Sequence, residues 1–282
     1  MTFSKLIPTD RKMPELPEVE SLRRYLIREG ILGRTFEQIE LETKPSPESG
    51  TGAISGINQV HGKSIKTLER RGKQLAAVLD QGVLGLHMGM TGQVNVLEPT
   101  EPTPRFTRAL FNMSNGFRMA LVDPRRWAQL RYFDSPDQAF AGLGPDALDP
   151  DFSATNFASV LKIRTAQIKP LLLNQSIIAG VGNIYADEAL HRIEISPARR
   201  ANKISNQKLE SLLIAIRESL ERALEFIKNH PDDRGRPYIV DAYDDRMQLH
   251  RKPGSFCPRC EIPLVTLKFG GRTAYYCSNC QK

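Results

Sequence analysis

The stretch CPRCEIPLVTLKFGGRTAYYCSNC, residues 257 to 280, contains all four cysteines of the 282-residue chain. Cys257, Cys260, Cys277 and Cys280 follow the spacing C-x2-C-x16-C-x2-C, in which two short turns supply four thiolates to one tetrahedral Zn²⁺. Disulfide bonds are the alternative, but paired CxxC units in an intracellular chain favour a metal. Because four protein ligands leave no open position, we predict one structural zinc ion per chain.

The residues between the two cysteine pairs predict a hairpin that presents a cation. LVTLKFGGRTAYY, residues 264 to 276, has two strand-like runs joined at FGG, with Arg272 beside the tip. Residues 246 to 282 contain seven Lys or Arg and a single acidic residue, Glu261. The whole chain has 39 Lys and Arg against 32 Asp and Glu, a net charge of +7. This balance favours a polyanionic partner, and the tail is a candidate phosphate-binding surface.

Upstream, NQSIIAGVGNIYADEALHR, residues 174 to 192, places two glycines directly before a new helix. Gly180 and Gly182 allow tight backbone geometry, and the free N–H groups of a helix N-terminus favour an anion. Asn183 can cap this helix, which is its ordinary role, and it can also bind a phosphate, because the two roles are compatible.

The patterns on either side of Asp149 differ. From about residue 35 to residue 133, short alternating or apolar runs such as QLAAVLD and RMALVD indicate a β-sandwich or barrel. Helical patterns follow at about 154 to 163, 169 to 174, 183 to 191 and 205 to 229, and an opening helix runs from Pro17 towards a cap at Gly30. We therefore predict an α+β fold with a domain boundary near Asp149. No apolar run approaches the ~18 residues of a membrane helix, which predicts a soluble, intracellular protein.

Two further segments carry side chains suited to DNA. HMGMTG (87–92) and DPRRWAQL (123–130) place Met90, Arg125 and Trp127 near strand ends or turns. Packing in the core is the ordinary role of Met and Trp, and insertion into a base stack is the alternative. Lys73, in ERRGKQL, is on its own an ordinary solvated charge.

Taken together in this order, PELPEVE, RRGKQL, HMGMTG, DPRRW, AGVGNIYADEAL and the cysteine pattern resemble the formamidopyrimidine-DNA glycosylase family, also called Fpg or MutM. The resemblance covers nearly all of residues 14 to 282. It implies an N-terminal β-sandwich with flanking helices, a helical domain with a helix–two-turn–helix, and a four-cysteine zinc finger hairpin. The predicted boundaries are 14–148, 149–245 and 246–282, with 1–13 an extension or a mis-assigned start.

The resemblance also implies roles for individual residues. Pro14 is the expected nucleophile, Glu15 the proton donor, Lys73 the lysine of β-elimination and Arg272 the arginine of δ-elimination. The residues expected to contact DNA are Asn183 at a phosphate, Met90, Arg125 and Trp127 in the gap left by a flipped nucleotide, and Arg105 or Arg108 of RFTRAL, where relatives have a histidine-rich segment.

The role of Pro14 depends on a free amine, because an amide nitrogen cannot form an iminium ion. RKMPELPEVE, residues 11 to 20, reads like the start of a protein, with Met13 before Pro14. We expect the working enzyme to begin at Pro14. A chain that keeps Met1 to Lys12 is expected to be a non-catalytic protein that binds damaged DNA.

The expected function is a base-excision repair DNA glycosylase with AP lyase activity, which removes oxidised purines from double-stranded DNA as a monomer. Formamidopyrimidines are the expected substrates, with 8-oxoguanine in doubt because HPDDRGRPYIVDAYDDR, from residue 230, differs from the familiar loop over the flipped base. The alternative is an endonuclease VIII-like preference for oxidised pyrimidines, against which Leu16 argues. The expected location is the bacterial cytoplasm, or the nucleus or an organelle of a eukaryote.

Overall fold

A computed structural model describes residues 14–42, 52–237 and 247–282. The predicted extension 1–13, most of KPSPESGTG and residues 238–246 of the predicted lesion loop lie outside these ranges. The helices are α1 (Leu16–Arg28), α2 (Pro136–Ala139), α3 (Ala154–Lys162), α4 (Ile168–Leu173), α5 (Asn183–Arg192) and α6 (Asn206–Asn229). The strands are β1 (Phe36–Leu41), β2 (Ile54–Ser55), β3 (Ile65–Arg71), β4 (Gln74–Leu79), β5 (Val83–His87), β6 (Gln93–Leu97), β7 (Thr107–Met113), β8 (Arg118–Val122), β9 (Gln129–Phe133), β10 (Val265–Phe269) and β11 (Arg272–Tyr276).

The N-terminal half is the predicted sandwich of two sheets. One sheet has the strand order β1-β7-β8-β6, and the other has the order β2-β9-β5-β4-β3. Alternating apolar residues on their facing sides form a core that includes Phe36, Phe111 and Leu121. The rings of Phe36 and Phe111 meet edge to face with centroids 5.6 Å apart, a favoured aromatic geometry. Within the described residues, none of the helices has the length and apolar character needed to cross a bilayer.

Helix α1 belongs to two cores at once. The N-cap Glu15 forms a reciprocal capping box with Glu18, and the left-handed Gly30 follows the last turn, as the sequence predicts. Leu16, at the start of the helix, packs in the core of the helical half, whereas Val19 and Leu22 pack in the core of the sandwich. The first turn of α1 therefore lies in the seam between the halves.

The helical half follows the predicted pattern closely. Ser153 and Ser205 cap α3 and α6 with their hydroxyl oxygens, which accept backbone N–H groups three residues later. Helix α6 has 24 residues and buries a continuous apolar face against α1, α3 and α5. The buried Tyr185 is among the largest side chains in this core.

Asp146 ties the linker between the halves to the turn between β3 and β4. Its carboxylate accepts from Arg70 Nη1 at 2.6 Å and Nη2 at 3.2 Å, and from the backbone N–H of Gly72 at 2.6 Å. Arg70 also donates to Glu20 of α1 at 3.0 Å. Gly72 has a positive φ of 58°, and a Cβ there would lie 2.9 Å from the backbone nitrogen of Gly180. The turn therefore requires glycine where it meets the helical half.

We expect Asp146→Ala to lower the free energy of unfolding by about 3 kcal/mol, because the change leaves Arg70 partly buried without one of its two carboxylates. Urea unfolding would measure the loss. Asp151→Ala is the matched control, since Asp151 is exposed and the change should stay within about 0.5 kcal/mol of the wild type. Equal midpoints for the two variants would contradict this role of Asp146.

Candidate active site

One cavity of about 400 Å³ lies in the seam between the two halves and the hairpin β10–β11. Its wall brings together five of the residues that the sequence singled out, from positions up to 257 residues apart in the chain: Glu15, Lys73, Met90, Asn183 and Arg272. Pro14 is buried and directly precedes Glu15. The cavity is also lined by His87, Gln175 and Arg251, which the sequence did not single out.

The Glu15 carboxyl is held against the start of α5. Glu15 is 3% exposed, and its Oε1 accepts the backbone N–H of Ile184 at 3.0 Å. Its Oε2 is buried and has no hydrogen-bond partner among the described residues. Burial raises the pKa of Glu15, while Lys73 and the Ile184 N–H oppose the rise. The result is a carboxyl that keeps its proton to higher pH than a solvated glutamate, with one oxygen available to a ligand.

This position of Glu15 depends on the absence of a side chain at residue 182. A Cβ on Gly182 would lie 2.2 Å from the carboxyl carbon of Glu15. Gly182 has φ −123°, so its backbone is open to any residue, and the requirement is close approach alone. Leu16 N–H also donates to the Gly180 carbonyl at 3.3 Å, which holds the two segments side by side.

Lys73 lines the same cavity as Glu15 and interacts with it electrostatically. Burial lowers the pKa of Lys73, the negative charge of Glu15 opposes this, and Arg272 adds to it. The amine therefore loses its proton at lower pH than a solvated lysine. His87 also lines the cavity. Burial and the charge of Lys73 lower the pKa of His87 to about 4, so this imidazole is neutral at pH 7. Its Nδ1 accepts the backbone N–H of Gly89 at 3.0 Å, next to Met90.

Helix α5 holds the hairpin that carries Arg272. Asn183 Nδ2 donates to the Thr273 carbonyl at 3.0 Å, which is a contact that neither the capping role nor the phosphate role predicts. Its Oδ1 is buried without a partner among the described residues. One turn later, Asp187 Oδ2 accepts the backbone N–H of Tyr275 at 3.1 Å. The hairpin is thus fixed to the helix on both sides of Ala274, close to Arg272.

The four cysteines form one cluster at the base of this hairpin. Their Sγ atoms all lie within 4.8 Å of one another. The Cys260–Cys277 and Cys257–Cys280 separations are 3.5 and 3.9 Å. A tetrahedron with Zn–S bonds of 2.3 Å requires sulfur separations of about 3.8 Å, so the donor set and its spacing fit a zinc ion.

The remaining predicted DNA contacts, Arg125, Trp127, Arg105 and Arg108, are not among the residues that line the cavity. Asp123 orders the turn that carries the first two by accepting the N–H groups of Arg125 at 3.2 Å and Ala128 at 2.7 Å, and it also accepts the Thr91 hydroxyl. Arg125 is exposed and lies 5.9 Å from the ring centroid of Trp127. Trp127 is half-buried and belongs to neither hydrophobic core, which leaves its ring available for the wedge role.

The two candidate arginines of RFTRAL differ in exposure. Arg105 is exposed and its guanidinium lies 4.5 Å from the Phe106 ring centroid. Arg108 is 4% exposed and forms an ion pair with Glu42 at 3.4 Å. Of the two, only Arg105 is placed to meet a ligand at the surface, so we retain it alone as a proposed contact.

The cavity combines an acid and a base with an excess of positive charge. Three cationic side chains, Lys73, Arg251 and Arg272, and one carboxyl, Glu15, line the wall. Such a site favours an anionic ligand, and its two groups of shifted pKa suit proton transfer to and from that ligand.

Comparisons with known families agree with this geometry. Residues 13–130 match the family model of the formamidopyrimidine-DNA glycosylase N-terminal domain, and residues 143–232 match the model of the H2TH domain of the same enzymes. Residues 254–282 match the model of the zinc finger found in FPG and IleRS. The formamidopyrimidine-DNA glycosylase of Pelotomaculum thermopropionicum is 36% identical over 96% of this chain and 99% of its own length. That of Thermomicrobium roseum is 37% identical over 95% of this chain and 99% of its own length.

Solved structures are similar over the same extent. MutM (Fpg) of Thermus thermophilus has a TM-score of 0.80 and 33% identity over 95% of this chain and 98% of its own. The Lactococcus lactis enzyme, non-covalently bound to DNA containing an AP site, has a TM-score of 0.79 and 27% identity over 95% and 99% of the two chains. The chain therefore belongs to the formamidopyrimidine-DNA glycosylase family of base-excision repair enzymes, as the six motifs predict.

We expect Gly182→Ala to reduce catalysis by about 100-fold, because the new Cβ displaces the Glu15 carboxyl by roughly an ångström. The free energy of unfolding should fall by only about 1 to 3 kcal/mol, as for other overpacked sites. Single-turnover excision rates would measure the effect.

Gly33→Ala is a control of similar stability cost. Gly33 has φ 78° and open space around its hypothetical Cβ, so alanine there is strained by roughly 1 kcal/mol without touching the cavity. Catalytic losses of the same size in both variants would assign the Gly182 effect to stability alone.

Proposed function

We propose that this member of the formamidopyrimidine-DNA glycosylase family excises oxidised purines and then cleaves the DNA strand, with Pro14 as nucleophile and Glu15, Lys73 and Arg272 as its partners. The observation that supports it is the convergence of Glu15, Lys73, Asn183 and Arg272 on one cavity beside Pro14. Proteins of this family are seen in similar structures with AP-site DNA and with carbocyclic 8-oxo-G DNA. Double-stranded DNA with such lesions is accordingly the proposed partner, bound by a monomer.

In the first step, the Pro14 nitrogen forms a bond to C1′ of the damaged nucleotide as the bond from C1′ to the base breaks, and the proton lost by the amine neutralises the departing base. The protonated carboxyl of Glu15 supplies a proton to the sugar as its ring opens, and the nitrogen lone pair then forms an iminium ion with C1′. A secondary amine suits this step because its iminium ion has a fixed positive charge, which accepts electrons in later eliminations. Since an amide nitrogen has no such lone pair, Pro14 must be N-terminal in the active protein for this step to occur.

In the following steps, the enzyme cleaves the DNA strand on both sides of the sugar. A base removes a proton from C2′, and the bond from C3′ to its phosphate oxygen breaks. Lys73 suits this role because burial lowers its pKa and raises the neutral fraction of its amine. The second elimination releases the 5′ phosphate, and Arg272, which lines the same cavity, is placed to stabilise the leaving anion.

The four cysteines are proposed to hold one structural zinc ion. With all four ligands supplied by Cys257, Cys260, Cys277 and Cys280, a bound zinc ion would stabilise the hairpin and take no part in the chemistry. What this chain contributes is the attachment of that hairpin to α5, through Thr273 and Tyr275. The position of Arg272 is proposed to depend both on the bound zinc ion and on this attachment to α5.

Three side chains, Met90, Arg125 and Trp127, are proposed to fill the gap in the DNA helix that the damaged nucleotide leaves. Met90 lines the cavity, while Arg125 and Trp127 lie on the turn that Asp123 joins to Thr91. Apolar and aromatic side chains that enter a base stack stabilise an extruded nucleotide by replacing its stacking contacts. Arg105 is the proposed additional backbone contact, and the domain boundaries stay as predicted from the sequence.

Borohydride trapping tests the nucleophile. Protein that begins at Pro14 should form a covalent complex with DNA that contains an abasic site, because borohydride reduces the iminium ion to a stable amine. Protein whose intact Met1 is verified by mass spectrometry should give no such complex. Peptide mapping of the adduct identifies the attacking amine. Efficient trapping by the intact Met1 chain would show that another amine attacks, with Lys73 the first to be examined.

The raised pKa of Glu15 gives a second test by pH. Single-turnover base excision should fall as pH rises through the pKa of this carboxyl, because the proton donor is lost. Glu15→Gln should lower excision by roughly 100-fold or more and remove this limb of the profile.

The same variant has an opposite effect on stability. Because the folded-state pKa lies above the ordinary value of 4.5, Glu15 stabilises the fold most below that value and loses this contribution as pH rises through the folded pKa. The melting temperature of Glu15→Gln should therefore rise relative to the wild type as the pH increases above 4.5. A constant difference would mean that Glu15 ionises normally.

A further inference from the structure

Arg251 lies in the cavity wall although no expected role from the sequence includes it. It lies before the first cysteine pair, and it lines the cavity together with Glu15, Lys73, Asn183 and Arg272. Its side chain is 8% exposed, so the guanidinium is almost fully removed from bulk water.

Two bonds fix the guanidinium in place. Arg251 Nε donates to Asp187 Oδ2 at 2.9 Å, and Nη2 donates to the Thr273 carbonyl at 2.9 Å. The group also lies 5.4 Å from the centroid of the Tyr275 ring. Its third nitrogen, Nη1, has no hydrogen-bond partner among the described residues. A guanidinium has five N–H donors in a rigid fork, so two anchored nitrogens leave the remaining edge oriented at little further entropic cost.

The charges around Arg251 are unbalanced. Asp187, which is 1% exposed, is shared by Arg251 and by Lys169, which is 0% exposed. Burial, together with the smaller effect of the Arg251 charge, lowers the pKa of Lys169 to about 8 against the opposing effect of Asp187. Glu15 is the other carboxyl that interacts with both Lys169 and Arg251. Because its pKa is raised, it carries less negative charge to balance them than an ordinary glutamate would. The cluster therefore has an excess of buried positive charge on the side of the cavity.

We infer that Arg251 is a further substrate-binding residue, which contacts a phosphate of the extruded nucleotide through the free edge of its guanidinium. Buried positive charge is costly unless an anion meets it, and the anion that the proposed function brings into this cavity is a DNA phosphodiester. This inference rests on the proposed DNA substrate but not on Pro14 as nucleophile. Arg251 acts by binding, beside Asn183 and Arg272, and takes no part in proton transfer.

Equilibrium binding tests the inference without any chemical step. The probes are two duplexes of one sequence, one undamaged and one with a tetrahydrofuran analogue of an abasic site, titrated over a range of salt concentrations. Arg251→Met should weaken binding of the tetrahydrofuran duplex by about tenfold and lower the slope of log K against log salt by about 0.9, the value for one lost phosphate contact. Binding of the undamaged duplex should change less, because its nucleotides stay outside the cavity.

Three further variants separate charge from structure. Arg251→Gln keeps a hydrogen-bond donor for Asp187 or Thr273, and it is the variant to use if Arg251→Met does not fold. Arg251→Lys keeps the positive charge and should therefore keep the salt slope of the wild type. Arg259→Gln is the matched control, because Arg259 also pairs with a carboxylate, Glu194, and donates to a carbonyl, yet does not line the cavity. Its slope should equal that of the wild type.

A purely structural role for Arg251 gives a different set of results. Arg251→Gln would then lower the melting temperature but leave the salt slope and the preference for the tetrahydrofuran duplex unchanged, which would overturn the inference. Equal losses on both duplexes, or a slope for Arg251→Lys as low as that of Arg251→Gln, would overturn it as well. Failure of the proposed function is distinguishable, since it appears as a wild-type protein that binds the tetrahydrofuran duplex normally but cleaves no lesion.

Discussion

The close contact between Glu15 and the turn at Gly182 is the constraint on which the rest of the molecule depends. It places a carboxyl at the N-terminus of α5, where the Ile184 N–H binds one oxygen and burial raises the pKa. The same contact puts the first turn of α1 in the seam, so that Leu16 packs in one core and Val19 in the other. Two halves with separate cores are thereby joined at Glu15, the residue proposed as the proton donor.

Charge in the cavity is arranged in layers. The front layer consists of Lys73, Arg251 and Arg272 around the single carboxyl of Glu15. Behind it, Asp187 holds Arg251 and Lys169 in place. A site that is positive at the front attracts phosphate, while burial shifts the pKa of Glu15 and that of Lys73 in opposite directions, towards neutral forms. One environment therefore supports both DNA binding and proton transfer.

The sequence predicts local structure better than it predicts partners. The sandwich, the cap at Gly30 and the helices that follow Asp149 were predictable because caps, periodicity and glycine are local signals. The site of Arg251 was not, because its anchors Asp187 and Thr273 are 64 and 22 residues away in the chain. Arg108 shows the converse limit, since nothing in RFTRAL distinguishes an arginine paired with Glu42 from an exposed one.

Contacts between residues far apart in the chain also hold the zinc finger, and the sequence alone does not predict them. Here the spacing of residues along helix α5 matches the spacing of residues along strand β11. Asn183, Asp187 and His191 are spaced by four residues, so they lie on one face of α5 about 6 Å apart. They bond in turn to the Thr273 carbonyl, the Tyr275 N–H and, at 3.3 Å, the Cys257 sulfur. Two residues of a strand span about 6.6 Å, so the first two bonds, to Thr273 and Tyr275 of β11, keep the helix and the strand in step, and the third reaches the cysteine pair that precedes β10. Helix α5 therefore holds β11 at two points close to Arg272 and also contacts the cysteine cluster, so one helix positions both the cavity arginine and the cysteine-bearing end of the chain.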